Sequence, residues 1–239
     1  MKKPHQERDP TRTKRVRSFL SDGFNDYIAA RVLFLAQLPQ QGSILSSTAI
    51  EKCFKAILAF RGNQSHGHLK AAHWNAVQNF DKEVFGDLDR EFIELNRKAY
   101  RLRYTDDLPP DFNLVIASRE FLAELDYTIA KISLAFTVEQ NGKVQKTPYQ
   151  TAVDSRNDRL IAENHVIAKQ PRHQFIYGSP QFIYEVRNDP LRGLVEITYT
   201  TQSPPKISGF LRSGFVPSDH RRSEHELSHS QILRPKQNS

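Results

Sequence analysis

The sequence predicts a mainly α-helical protein: a five-helix antiparallel bundle followed by a small β-rich extension. Three observations carry that prediction. Apolar residues recur at intervals of three and four from about residue 18 to residue 137. Helix start and stop signals divide this stretch into pieces with mostly short connections, which sets neighbouring helices antiparallel. After Gln140 the helical period disappears, and short runs rich in Ile, Val, Tyr, Phe and Thr replace it.

Residues 1–17, "MKKPHQERDPTRTKRVR", carry seven Lys/Arg against two acids and read as a basic flexible arm. The first helix follows in "SDGFNDYIAARVLFLAQL", with Ser21, Asp22 and Asp26 near its start and Pro39 beyond its end. In "SILSSTAIEKCFKAILAFRG", Ile50, Phe54, Ile57 and Leu58 share a face, and Gly62 marks a stop. "HLKAAHWNAVQNF" is a shorter third helix. The fourth has a clear seam, Leu88, Phe92, Leu95, Ala99 and Leu102. The fifth runs from about Phe112, with Val115, Leu122, Leu125, Ile129, Ile132 and Phe136 in the same alternation. Trp74, Phe80, Phe92 and Phe121 are expected in the core or at a dimer interface.

Residues 138–158 have no helical period and read as a linker. "RLIAENHVIAK", "HQFIYG", "QFIYEVR" and "GLVEITYTT" then predict a small antiparallel β segment over 159–202, too small to stand alone and expected to pack on the bundle. From 203 to 239 Ser, Pro, Arg and His dominate, the composition of a disordered tail.

The net charge of +7 sits at the two ends: residues 18–136 carry 13 Lys/Arg against 15 acids. A basic arm adds sequence-blind attraction to phosphates without making the folded body a nucleic-acid binder. No apolar run reaches the roughly 18 residues of a membrane span, and the N-terminus lacks the apolar core of a secretory signal. A single cysteine, Cys53, points to a reducing compartment, so the expectation is cytoplasmic; it reads as a small core residue. No GxxxxGK[ST] loop, GxGxxG turn or GxSxG elbow occurs, which leaves ATPase, Rossmann-enzyme and α/β-hydrolase readings without support. No cofactor is expected. His66, His68 and His73 do not share one helix face, and with no Cys or acid beside them a metal is not expected either.

The chemistry concentrates in "RKAYRLRYTDDLPPDF", residues 97–112. Arg97, Arg101 and Tyr104 fall at i, i+4 and i+7, on a stripe apart from the apolar seam. With Arg103 they could clamp a phosphate and stack on a base. The same residues are also what a helix end needs: cations meet its exposed carbonyls, and Asp106, Asp107 and Asp111 favour the next helix start. The stretch is first a junction between helices, and any site is built on it. Lys55 forms an i,i+4 pair with Glu51; it stands on a solvated face or helps line a phosphate pocket.

The order "DYIAARVLFL…AIEKCFKAILAFRG…HGHLKAAH…AYRLRYTDD…FLAELDYTIAKI" resembles a HEPN domain, the higher eukaryotes and prokaryotes nucleotide-binding family, across residues 18–137. The resemblance implies a dimer. It implies either a metal-independent endoribonuclease, often of toxin–antitoxin or phage-defence systems, or a module that binds nucleotides, RNA or a protein partner such as a nucleotidyltransferase. The family's RNases use Arg-x(4–6)-His. Neither Arg97, Arg101 nor Arg103 has a histidine at that distance, whereas Arg61 has both His66 and His68. The leading expectation is therefore a binding module using Arg97, Arg101, Arg103, Tyr104 and Lys55. The alternatives are an RNase acting through Arg61 with His66 or His68, and a dimeric scaffold.

Overall fold

The computed structural model describes residues 10–63, 88–110, 112–136, 138–140 and 143–201, with positions 75, 77, 79, 85 and 86 between them. It is mainly helical with a small antiparallel sheet. Helices α1 (Pro10–Leu35) and α2 (Pro39–Phe60) form an antiparallel hairpin. Pro at the first position of α2 costs no hydrogen bond, because that N–H has no partner inside a helix. The two helices approach closely where glycines lie between them. A Cβ on Gly23 would stand 3.2 Å from the Ala49 carbonyl oxygen, and one on Gly42 would stand 2.8 Å from the Phe34 ring.

Helix α3 (Arg90–Ala99) starts at Asp89, whose carboxylate accepts from Glu91 N (2.7 Å) and Phe92 N (3.2 Å). Two 3₁₀ turns, Tyr100–Arg103 and Thr105–Asp107, lead to strand β1 (Asn113–Ala117) and helix α4 (Ser118–Ala135). A two-stranded hairpin, β2 (Val138–Gln140) with β3 (Lys143–Gln145), follows. Three short helices come next: α5 (Pro148–Asp154), α6 (Asp158–Ile161) and α7 (Arg172–Tyr177). Strands β4 (Gln181–Asp189) and β5 (Gly193–Thr201) complete a sheet of order β1-β4-β5, antiparallel throughout. Its register sets Ile116 beside Tyr184 and Tyr184 beside Thr198.

One core joins these parts. The fourth-helix seam is buried at every expected position, Leu88, Phe92, Leu95, Ala99 and Leu102. Phe121 stacks on Phe34 at 4.6 Å and meets Phe92 edge-on at 5.0 Å, so Phe92 and Phe121 are core aromatics. Cys53 is buried and free, with its thiol pushed up to about 12 by burial. Trp74, Phe80 and most of the expected third helix lie outside the described residues, as does the 203–239 tail.

Several expectations are corrected. Residues 10–17 are not an arm: they continue α1, because Val16 and Leu20 are buried one turn apart beneath the surrounding cations. The fifth helix does not begin at Phe112. Leu114, Val115, Ile116 and Ala117 are buried in succession, the mark of a strand covered on both faces, and β4 supplies its partner. The described residues of 138–158 are not a bare linker: they hold β2, β3 and α5, with a capping box at Thr147 and Gln150 and with Tyr149 and Ala152 buried. "RLIAENHVIAK" and "HQFIYG" hold helical turns rather than strands. Only "QFIYEVR" and "GLVEITYTT" are strands as expected. The β segment does pack on the helices, through β1 and α4.

Candidate nucleic-acid interface

The junction after α3 brings most of the expected site residues to one surface ridge, in a grouping that α-helical spacing did not show. Helix α3 tightens to 3₁₀ geometry over Tyr100–Arg103, where residues three apart lie nearly in line. Arg103 therefore meets Tyr100: Nη1 donates to the phenol oxygen at 2.9 Å, and the guanidinium lies 5.1 Å from that ring's centre. The same guanidinium is 5.9 Å from the ring of Tyr104, which is 56% exposed. Arg101 and Lys98 stand over Phe112, at 5.9 and 5.4 Å from its ring centre. Cation–aromatic pairs of this kind hold guanidiniums in place while leaving donors open to solvent.

Arg97 belongs to the ridge only at its edge. It is 56% exposed and pairs with Glu94 on its own helix at 3.4 Å. Lys55 stands apart. Its ammonium reaches Glu51 at 2.5 Å, and Glu51 is itself buried, so the pair is tucked against the α2 surface rather than solvated. Among the described residues Lys55 makes no polar contact with the ridge.

Arg61 caps the end of α2, exposed, with Nη2 donating to the Asn79 carbonyl at 3.3 Å. His66 and His68 lie outside the described residues. The Arg159–His165 pair, which matches the RNase spacing by count, is not a site. The His165 Nε2 lies 2.9 Å from the Ala123 carbonyl oxygen, and the ring stacks on Phe175.

Sequence reasoning missed a fully buried polar cluster. Arg31 and Asp126 are both fully buried and form an ion pair. The Tyr27 hydroxyl donates to Asp126 Oδ1 at 2.8 Å, and Asn164 Nδ2 donates to the Tyr27 oxygen at 3.3 Å. Burial first, then the Asp126 charge, raises the Tyr27 phenol well above its ordinary range, so it stays a donor. Arg31 also donates to the carbonyls of Arg159 and Ala162. The two charges are paired with each other and fully buried, which makes this a structural lock between α1, α4 and α6. The sequence signal was a lone arginine within an otherwise apolar helical run.

Among the described residues no group of three or more His, Cys, Asp or Glu could hold a metal, and no helix is long and apolar enough to cross a membrane. Compared with protein-family models, with curated proteins and with solved structures, the chain gives no match.

Proposed function

We propose that the chain is a HEPN-like helical module that binds single-stranded RNA through the ridge at the end of α3. The observation that carries this reading is Arg103 held between two tyrosines, one of them more than half exposed, beside Arg101 and Lys98 over Phe112. Guanidiniums would take the phosphates and Tyr104 would stack on a base, the combination by which single strands are held without sequence readout. The helical hairpin α1–α2, the buried fourth-helix seam and α4 support the five-helix bundle of the HEPN reading.

The test is a gel-shift titration of labelled single-stranded RNA on the full chain without divalent metal. Replacing both Arg101 and Arg103 with alanine is expected to weaken binding at least tenfold, and Tyr104→Ala severalfold. Raising the salt should weaken the parent protein more steeply than the double variant. Unchanged affinity in the double variant would remove the ridge from the interface. RNA cleaved by the parent and left intact by Arg61→Ala would instead make the protein a metal-independent RNase.

A further inference from the structure

The ridge has two halves of different origin. Arg103, Tyr100 and Tyr104 are neighbours in the chain and hold one another through one hydrogen bond and two ring contacts. Arg101 and Lys98 rest instead on Phe112, which lies beyond the second 3₁₀ turn. What fixes Phe112 comes from a strand some 80 residues further along the chain. Asn188, near the end of β4, donates its backbone N–H to the Phe112 carbonyl oxygen at 2.8 Å. Its side-chain Nδ2 donates to the carbonyl oxygens of Leu108 at 2.7 Å and Pro109 at 3.2 Å. The Pro109 carbonyl also accepts from Phe112 N at 2.9 Å, which closes the turn between them. Both side-chain partners are acceptors, so a carboxylate or an apolar group of the same size could not replace the amide. Leu108 and Phe112 are buried, and Asn188 is half-buried above them.

We propose that Asn188 is the positioning residue for the Arg101 and Lys98 half of the ridge. It clamps the turn between Leu108 and Phe112 to the sheet, so that the Phe112 ring forms a fixed floor beneath both cations. The consequence for binding rests on the RNA-binding reading of the ridge. Without the clamp the Leu108 and Pro109 carbonyls turn to water and the floor moves with them. Arg101 is exposed, and a long side chain without its floor spreads over many rotamers, which RNA must then order at a cost in affinity. Arg103 is spared, because its partners Tyr100 and Tyr104 lie beside it in the chain. The sheet thus tunes one half of the ridge and leaves the other alone.

The test combines RNA titration with NMR on the full chain. Asn188→Leu keeps the size of the side chain and removes its donors. It is expected to weaken binding of labelled single-stranded RNA about three- to tenfold and to lower the salt slope by about one phosphate contact. A double-mutant cycle separates positioning from a general loss of stability. Arg101→Ala should cost little more in the Asn188→Leu background, whereas Arg103→Ala should cost as much there as in the parent. Independently of RNA, the Phe112 ring should shift the Arg101 side-chain proton signals upfield in the parent. Asn188→Leu should return them to solvent-exposed positions and leave those of Arg103 in place. Phe112→Leu, which removes the floor itself, should reproduce both effects and carries the test if Asn188→Leu fails to fold. Arg101→Ala costing the same in both backgrounds, or Arg101 signals that neither variant moves, overturns the proposal. A parent protein that binds no RNA overturns the ridge reading instead, and the Arg101 signals then decide the positioning by themselves.

Discussion

Glu124 shows how one side chain can record its surroundings. It is buried on α4, in an ion pair with Arg172 at the start of α7 and close to Asp89 at the start of α3. Burial raises its carboxyl, Arg172 opposes that rise and Asp89 adds to it, and the result is about 7 against an ordinary 4.5. Between those values the folded chain keeps a proton that the unfolded chain has released. The stability this group contributes is therefore full below pH 4.5 and is lost as the pH rises through 7. Glu124→Gln removes that titration. The parent is expected to lose about 2–3 kcal/mol relative to the variant between pH 4.5 and pH 8. Urea unfolding of both proteins across this range checks it, and parallel pH profiles would mean that Glu124 is ionised throughout. Nothing in "FLAELDYTIAKI" marked Glu124 or Asp126 as buried, because their partners come from elements far along the chain.

At the scale of the element, helix contact distances depend on single residues. Gly42 faces Phe34, whose ring is stacked on Phe121 and cannot swing aside freely. Gly42→Ala gains about 1 kcal/mol in helix propensity but overfills the contact, which typically costs about 1–3 kcal/mol. A net loss of about 1 kcal/mol is expected, read as a lower urea midpoint with an unchanged slope. A variant at least as stable as the parent would show that the hairpin opens without cost. The turn between β4 and β5 is equally local. Asp189 Oδ1 accepts from the N–H groups of Leu191 (2.8 Å) and Arg192 (2.9 Å), which lowers its carboxyl, and Gly193 takes a positive φ of 76°. That turn chemistry made the hairpin legible. The cap at Thr147 and Gln150 was not read as a helix start, because the helix it opens is only seven residues long and shows no period.

The whole molecule is not a bundle with an appendage. Arg31 in the first helix donates to carbonyls at 159 and 162, β1 pairs with β4, and Glu124 meets Arg172. A chain ending at residue 137 would leave the Arg31–Asp126 pair without its outer partners and β1 without a neighbour. Breaking such buried polar contacts typically costs about 3–5 kcal/mol, a large share of a domain's marginal stability. The truncated chain is expected to melt without a cooperative transition by circular dichroism, whereas the full chain melts cooperatively. A sharp transition in the fragment would restore the bundle as an independent domain.

Periodicity and caps by themselves determined α1 from about residue 18, the helices α2 and α3, the body of α4 and the β4–β5 hairpin, because those signals act within a few residues. They also placed Arg101, Arg103 and Tyr104 together, since these residues are neighbours in the chain. Tertiary structure alone decided that 113–117 is a strand, because its propensity was ambiguous and only pairing with β4 resolves it. It alone regrouped the ridge into Arg103 with two tyrosines and Arg101 over Phe112, through a 3₁₀ tightening. The division is physical: local backbone preference is written in adjacent residues, whereas the cost of burying a charge depends on which distant group folds back to meet it.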